Sequence, residues 1–428
     1  MSSRRPFIAL AIAETFSISG TRLSQIAIPW LVLTTTGSAT WTGVVGFAEI
    51  LPYVVVKALG GPIVDRVGAK RVAVTADSVS VLVVGLIPVL HWLGALHLAV
   101  LLPIAAVMGA VRGPSDGAKG ALIPGVAAFG GLPLERVTGV EGAIERLGST
   151  VGAAAAGGVV ALVGAPQALA VNAVTFAIAA ICIGRFVPRS VSPARPAAED
   201  GAASYVQQLH EGWRFLRADA VLVGITVMIS MTNFLDQAWS AVLVPVWAES
   251  GGHSVGEVGL VFAALSGPSI LGAVVAASMA QRLPRLPVYL IAFLAVGLPR
   301  FLVMAVDSPL WLVLVVIGIG GFGSGFLNPI LSAVIFERIP EPLIGRVSAL
   351  NTSLCWSLIP FGGLVGGVLA TSVGLRATLI AAGVCYFLVT LMPLVRKSFR
   401  EFSTRPTVAP GGVAGLGVVA DPAKEAVG

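Results

Sequence analysis

Residues Gly60–Arg71 read GGPIVDRVGAKR and lie between two long apolar runs. Four of the twelve, Asp65, Arg66, Lys70 and Arg71, are charged, in a chain where only 11% of residues are. The stretch reads as a tight basic turn joining two membrane helices on the cytoplasmic side. Gly61 permits close approach of helices, and Gly68 permits the sharp turn between them. Asp65 is placed to accept hydrogen bonds from a neighbouring helix N-terminus or to pair with an arginine.

The rest of the chain fits a membrane setting. Of 428 residues, 56% are hydrophobic, and the mean hydropathy is +0.93. Soluble domains carry roughly 25% charged residues, so a surface this poor in charge belongs in lipid. Apolar runs fall near 7–33, 40–60, 71–91, 94–112, 138–163, 167–187, 220–247, 257–280, 286–306, 309–335, 346–371 and 376–395. Each approaches the ~20 residues that a helical span needs. The expected fold is an all-α integral membrane protein of twelve transmembrane helices.

Charge placement orients it. One set of connections, with the termini, carries nearly all the Lys and Arg outside the spans, including Arg4, Arg5, Arg66, Lys70, Arg71, Arg112, Lys119 and Arg136. The opposite set carries Arg376 and no other. The basic side is therefore read as cytoplasmic, with both termini there. The net charge of +6 is explained by this asymmetry, so it does not indicate a nucleic-acid partner. Cys182, Cys355 and Cys385 all lie in apolar runs without metal-ligand spacing, so no disulfide framework, metal or cofactor is expected.

Similar features recur about 210 residues apart: Pro114 and Pro329, Ile123-Pro124 and Ile339-Pro340, Arg136-Val137 and Arg346-Val347, Gly157-Gly158 and Gly366-Gly367, Pro29 and Pro245. These predict two six-helix pseudo-repeats, 1–187 and 220–395. Between them lies a cytoplasmic linker, 188–219, whose Tyr205, Leu209, Trp213 and Leu216 recur at helical spacing. That pattern reads as an amphipathic helix at the inner interface. Residues 396–428, rich in Gly and Pro, read as a disordered cytoplasmic tail.

The pattern Gly61-x3-Asp65-Arg66-x-Gly68-x-Lys70-Arg71 resembles the signature loop between spans 2 and 3 of the major facilitator superfamily. By that resemblance Asp65 latches the cytoplasmic face when a transporter opens outward. The corresponding SMAQRLPRLP at 278–287 lacks the Asp and Gly, so one such latch is expected. Gly148, Gly152, Gly157 and Gly158 look like the span-5 motif of drug:proton antiporters. However, Ala153 stands where that motif has proline, and helix packing explains these glycines equally well. Pro29-Trp30-Leu31, Thr36-Gly37-Ser38-Ala39, Asp65-Arg66, Asp77, Ile123-Pro124 and Glu211–Leu216 are similar to the macrolide and siderophore exporter branch. The implied activity is proton-coupled efflux of a small amphipathic compound such as a drug, antibiotic or secondary metabolite. A facilitator or importer of a sugar, peptide or other metabolite is the alternative. An integral-membrane enzyme would need a clustered constellation of His, Asp, Ser or Cys at the membrane surface, which is not found. The formal GxGxxG at Gly318–Gly323 sits in a transmembrane run, without the strand a dinucleotide fold requires.

Ionisable residues inside spans are functional candidates because burying charge in hydrocarbon is costly. They are Glu14, Arg22, Glu49, Asp77, Glu145, Arg146, Asp236 and Arg300, with Glu141 nearer the interface. Arg22 and Asp236 stand at similar depth in equivalent spans, and an ion pair between them is expected. Lys57, near the end of span 2, is expected to snorkel to the interface. A proton-coupling carboxylate must be desolvated enough to take up a proton and must release it when a cation or water approaches. Glu14, Glu49, Glu145 and Asp236 are the candidates. The expected partners are a small-molecule substrate, protons and the bilayer, and the expected protein is a monomer of the plasma membrane.

Overall fold

A computed structural model describes residues 4–191, 202–279, 284–340 and 343–395. Among these, regular structure is helical and no strand occurs. The first helices are α1 (Arg5–Thr36), α2 (Ala39–Leu59), the short α3 (Gly61–Val67), α4 (Ala69–Trp92), α5 (Leu98–Gly130), α6 (Leu134–Val163) and α7 (Ala165–Phe186). After α8 (Ala202–Ala218) and α9 (Ala220–Ala238) comes a π-helical turn, Trp239–Leu243, and α10 (Val244–Ser250). Then follow α11 (Val255–Met279), α12 (Arg285–Val296), α13 (Leu298–Ala305), α14 (Leu310–Arg338), α15 (Ile344–Trp356), α16 (Ile359–Ser372), α17 (Leu375–Thr390) and α18 (Met392–Val395).

Glycines end several helices because they alone adopt left-handed backbone without strain. Gly37 (φ 62°) closes α1 and Gly131 (φ 61°) closes α5. Gly68 (φ 91°) separates α3 from α4, as the signature loop predicts. Within the linker a helix, α8, is present. Its Leu216 packs with Leu222, Ile339 and Val347. The tail at 396–428 lies outside the described residues.

Eleven stretches among the described residues are long and apolar enough to cross a membrane. The long α1 is not among them, because its middle carries Glu14, Thr15, Ser17, Ser19, Thr21, Arg22, Ser24 and Gln25. It packs mainly against α2, α6 and α7. The distribution of side chains reverses that of a soluble protein. Leu82, Leu162, Ile181, Leu271 and Trp311 face outward, whereas Asp77, Lys119 and Arg300 are buried.

Two expectations are corrected. Span 4 was to end near residue 112, leaving Arg112 and Lys119 in a loop. The helix instead runs to Gly130, through Pro103, Pro114 and Pro124. Proline is tolerated inside membrane helices because neighbouring groups satisfy the freed backbone. Lys119 is consequently a buried side chain, and Arg112 a partly buried one, rather than loop charges. Lys57 does not snorkel outward either: it folds back over Tyr53 and Trp356.

Within residues 5–186, α2 packs on α5, α4 on α5 and α7, and α1 on α6 and α7. Within 220–390, α11 packs on α14, α12 on α14, α13 on α17, and α9 on α16. Two contacts between these groups are the most extensive. Along α2 and α16, Gly43 meets the backbone at Gly363, and Thr40 Oγ1 donates to Thr371 Oγ1 at 2.9 Å. Along α6 and α11, Gly157 abuts Gly259. Small residues let the backbones approach where larger ones would hold them apart. Both contacts lie toward the end remote from the basic turn at Asp65–Arg71.

Candidate functional site

Between the two groups lies a central cavity of about 590 Å³. Its wall includes Arg22, Glu49, Asp236 and Arg300, four of the eight buried charges expected from sequence. Toward the basic end it adjoins a vestibule of about 670 Å³, lined in part by Glu14, Arg22, Glu141 and Glu145. Arg146 faces neither space: with Glu145 it borders a smaller cleft between α6, α11 and α14.

Broken helices shape the central cavity. Past Asp236 the backbone turns π-helical at Trp239–Leu243, and Asp236, Gln237, Trp239 and Ser240 all reach the wall. A π-helical turn is uncommon and concentrates at functional positions. A second break, at Gly297 between α12 and α13, comes just before Arg300. A third separates α15 from α16 between Trp356 and Ile359, next to Pro360. Interrupted membrane helices mark substrate sites in many transporters, because the freed backbone and side chains can line a cavity.

Asp236 and Arg300 are ion-paired. The expected Arg22–Asp236 pair is therefore replaced: Arg22 donates to Gln25 Oε1 at 2.9 Å, within α1. Arg300 also sits over the rings of Trp239, Phe301 and Tyr386, with centroids 4.9, 4.9 and 5.0 Å away. Only a planar guanidinium can stack on these faces and pair with a carboxylate at once. The arginine is 4% exposed, whereas the Asp236 side chain is 43% exposed. The cavity thus presents a carboxylate backed by a fixed cation.

Glu49 accepts from Arg112 at 3.2 Å, joining α2 to α5. Arg112 lies 4.4 Å over the Tyr53 ring. The Tyr53 hydroxyl donates to Asp116 at 3.1 Å and accepts from Lys57 at 2.9 Å. Glu49, Tyr53 and Lys57 are spaced four apart on one helix face, as are Arg112 and Asp116. The result is a ladder of alternating charge from cavity to vestibule. Arg112, Asp116 and Tyr53 were not singled out from sequence. Their fourfold spacing was visible, but reading it required the helix to continue past residue 112.

Asp77 stands apart from both spaces. It accepts from Lys119 Nζ at 2.9 Å and from Ser115 at 2.8 Å, and Lys119 also donates to Ser17 at 2.7 Å. This knot joins α1, α4 and α5.

In the turn, Gly61 opens α3 and Gly68 ends it, while Asp65, Arg66 and Arg71 are exposed. Lys70 donates to the Gly184 carbonyl at 2.9 Å, tying the start of α4 to α7. Of the span-5 glycines, Gly148 faces Ile18, Gly152 faces Arg22, and Gly157 faces Gly259. Gly158 faces open space, because adjacent helical positions point ~100° apart. The glycines at 318–323 lie within α14, where Gly320 packs on Ala295 and Val296, and Gly321 on Ala264 and Leu265. Among the described residues no group of His, Cys, Asp and Glu could hold a metal.

Known proteins resemble this chain in sequence and in shape. The sequence profile of the Major Facilitator Superfamily matches residues 10–235 and 226–418. The multidrug efflux pump Tap of Mycobacterium tuberculosis is 29% identical over 411 residues, 95% of this chain and 96% of Tap. Tap of Mycolicibacterium fortuitum is 30% identical over 404 residues, 94% of this chain and 98% of its own. The enterobactin exporter EntS of Salmonella typhi is 27% identical over 210 residues, 47% of this chain and 48% of EntS. Among solved structures, the nucleoside transporter NupG superposes with a TM-score of 0.67 at 17% identity, covering 90% of this chain and 98% of NupG. A POT family transporter crystallised with 5-aminolevulinic acid reaches 0.68 at 13% identity, covering 91% and 95%. At such identities the two structures speak for the fold alone.

Proposed function

The chain belongs to the Major Facilitator Superfamily and is a multi-pass membrane protein, and from that premise we propose a secondary active transporter. It exports a small amphipathic compound by alternating access, driven by protons. The observation that carries this reading is the central cavity, lined by Glu49, which pairs with Arg112, and by the Asp236–Arg300 pair from the other helical group. Each wall belongs to a different helical group, so an occupant contacts both. The end-to-end likeness to the Tap efflux pumps supports the export direction.

In this reading α1 is the twelfth span, its polar residues Glu14, Ser17, Thr21, Arg22 and Gln25 facing the vestibule rather than lipid. The pairing of α2 with α5 matches that of α11 with α14, and α4 with α7 matches α12 and α13 with α17. These parallels support two six-helix repeats, 1–187 and 220–395, and the placement of Lys and Arg supports a cytoplasmic side for the basic turn and both termini. The groups meet at the far end, and the vestibule lies at the basic end, which fits a transporter open to the cytoplasm. Exposed Asp65 is then a latch not yet engaged.

Coupling falls to a carboxylate that exchanges its cationic partner for a proton. Glu49 and Asp236 are the leading candidates, since each faces the cavity and an arginine; Glu14 and Glu145 face the vestibule. Reconstituted protein should move a fluorescent efflux substrate when a pH gradient is imposed across the vesicle. Glu49→Gln and Asp236→Asn should remove the pH-driven component. Undiminished coupling in both of these and in Glu14→Gln and Glu145→Gln would overturn the proton reading, and no gradient-driven flux of any compound would overturn transport.

A further inference from the structure

The vestibule contains an aromatic box that already holds an ammonium group. Tyr53 on α2 and Trp356 at the end of α15 stack with centroids 6.2 Å apart and planes 26° apart. Lys57 Nζ lies 4.5 Å from the Trp356 centroid and 5.1 Å from that of Tyr53. Its hydrogen bond goes to the Tyr53 hydroxyl. Among the ion pairs of the described residues, none includes Lys57. Ring faces and a phenol therefore hold this ammonium, on a flexible four-carbon stem, without a carboxylate within ion-pair distance.

The surroundings are acidic. Glu14, Asp116, Glu141 and Glu145 line the same space. Glu14, Glu141 and Glu145 take part in none of the ion pairs found among the described residues. Of the three cations on the wall, Arg112 is tied to Glu49, Arg22 donates to Gln25, and Lys57 fills the box. A cation entering from the basic end meets both carboxylates and an aromatic box in this space. Aromatic boxes recognise quaternary and protonated amines through the negative ring faces.

We propose that the Tyr53–Trp356 box is a binding site for organic ammonium compounds, and that Lys57 is its resident occupant until such a compound displaces it. Tyr53 and Trp356 come from the two helical groups, so the guest bridges the surfaces that alternating access must separate. The inference rests on the transport reading for its role and deepens it by naming the class of compound received. Binding itself is an equilibrium property and is measured without any gradient.

The test is calorimetric titration of benzyltrimethylammonium, a permanent cation, into the full chain in nanodiscs. Lys57→Met removes the resident ammonium and should tighten binding about tenfold, whereas Lys57→Arg keeps an occupant and should bind as the wild type does. Trp356→Ala should abolish binding in both the wild-type and Lys57→Met backgrounds, and Trp356→Phe should retain it. If Trp356→Ala fails to fold, the two Lys57 variants and Trp356→Phe still decide. Unchanged or weaker binding in Lys57→Met, or wild-type binding in a folded Trp356→Ala, overturns the site. PH-driven efflux that persists in that case leaves the transport reading standing, and binding without any flux does the reverse.

Discussion

Lys119 on α5 donates to Asp77 on α4 at 2.9 Å, with both side chains 1% exposed. Two full charges so deeply buried are stable only as a pair, since each compensates the desolvation of the other. Removing one partner strands the other, at a cost of roughly 3–5 kcal/mol. Lys119→Met should therefore lower the thermal unfolding midpoint of the purified protein sharply. The double variant Lys119→Met, Asp77→Leu should recover much of the loss, because no uncompensated charge remains. A double variant as unstable as the single one would mean that the pair contributes through something other than mutual neutralisation.

Arg300 is caged by three rings and bonded to Asp236. Arg300→Lys preserves the charge but not the flat surface that stacks on Trp239, Phe301 and Tyr386. Cation–π contacts contribute ~0.5–2 kcal/mol depending on desolvation. The lysine variant should lose transport to within a few-fold of Arg300→Met, while Arg300→Met, Asp236→Asn should regain stability but not coupled flux. Efflux and unfolding measured on the same preparations separate the two effects. Wild-type flux in Arg300→Lys would show that charge alone is required.

What was legible follows from how local each signal is. The basic turn, the apolar runs and the glycine that ends α3 are properties of contiguous residues, and all three were readable. Asp236 and Arg300 were each identifiable as costly to bury, but their partnership spans 64 positions and is decided only by the packing of α9 and α13 against α17. Arg22 was the wrong partner for that reason: similar depth in two helices does not fix which faces meet. Lys119 was obscured by Pro114 and Pro124, which look like helix stops in water yet are absorbed within α5. The π-helical turn after Asp236 is not written in Trp239–Leu243 themselves and is set by the surrounding packing.

The close approach of Gly157 to Gly259 should be intolerant of any side chain. A Cβ on Gly157 would lie 2.7 Å from the Gly259 Cα and 3.0 Å from the Val255 carbonyl oxygen. Neither neighbour is the end of a flexible side chain, so α6 and α11 must separate. Gly157→Val should abolish or strongly reduce transport at normal expression. Gly158→Ala, one residue on and facing open space, should be nearly silent. Equal sensitivity of the two positions would mean that helix propensity, not interhelical contact, is what glycine supplies here.

Asp219 joins two helices through one carboxylate. Oδ1 accepts from the backbone of Val221 at 2.8 Å and Leu222 at 3.0 Å, capping α9, while Oδ2 accepts from Arg338 at the end of α14 at 2.9 Å. Beside it, Arg285 grips Glu337 with two hydrogen bonds of 2.7 and 2.9 Å, fastening α12 to α14. The region that lacks a second signature turn is thus braced by these pairs instead. Asp219→Asn retains a capping oxygen and loses the charge, whereas Asp219→Ala loses both. Loss of a cap costs ~0.5–2 kcal/mol, and a partly exposed pair contributes up to ~1 kcal/mol. Asp219→Ala should therefore be the less stable of the two in thermal unfolding. The deficit of Asp219→Asn should shrink at high salt, while that of Asp219→Ala should persist in large part. Equal, salt-independent deficits would show that the joint is held by packing around Leu216 and Leu222 rather than by this carboxylate.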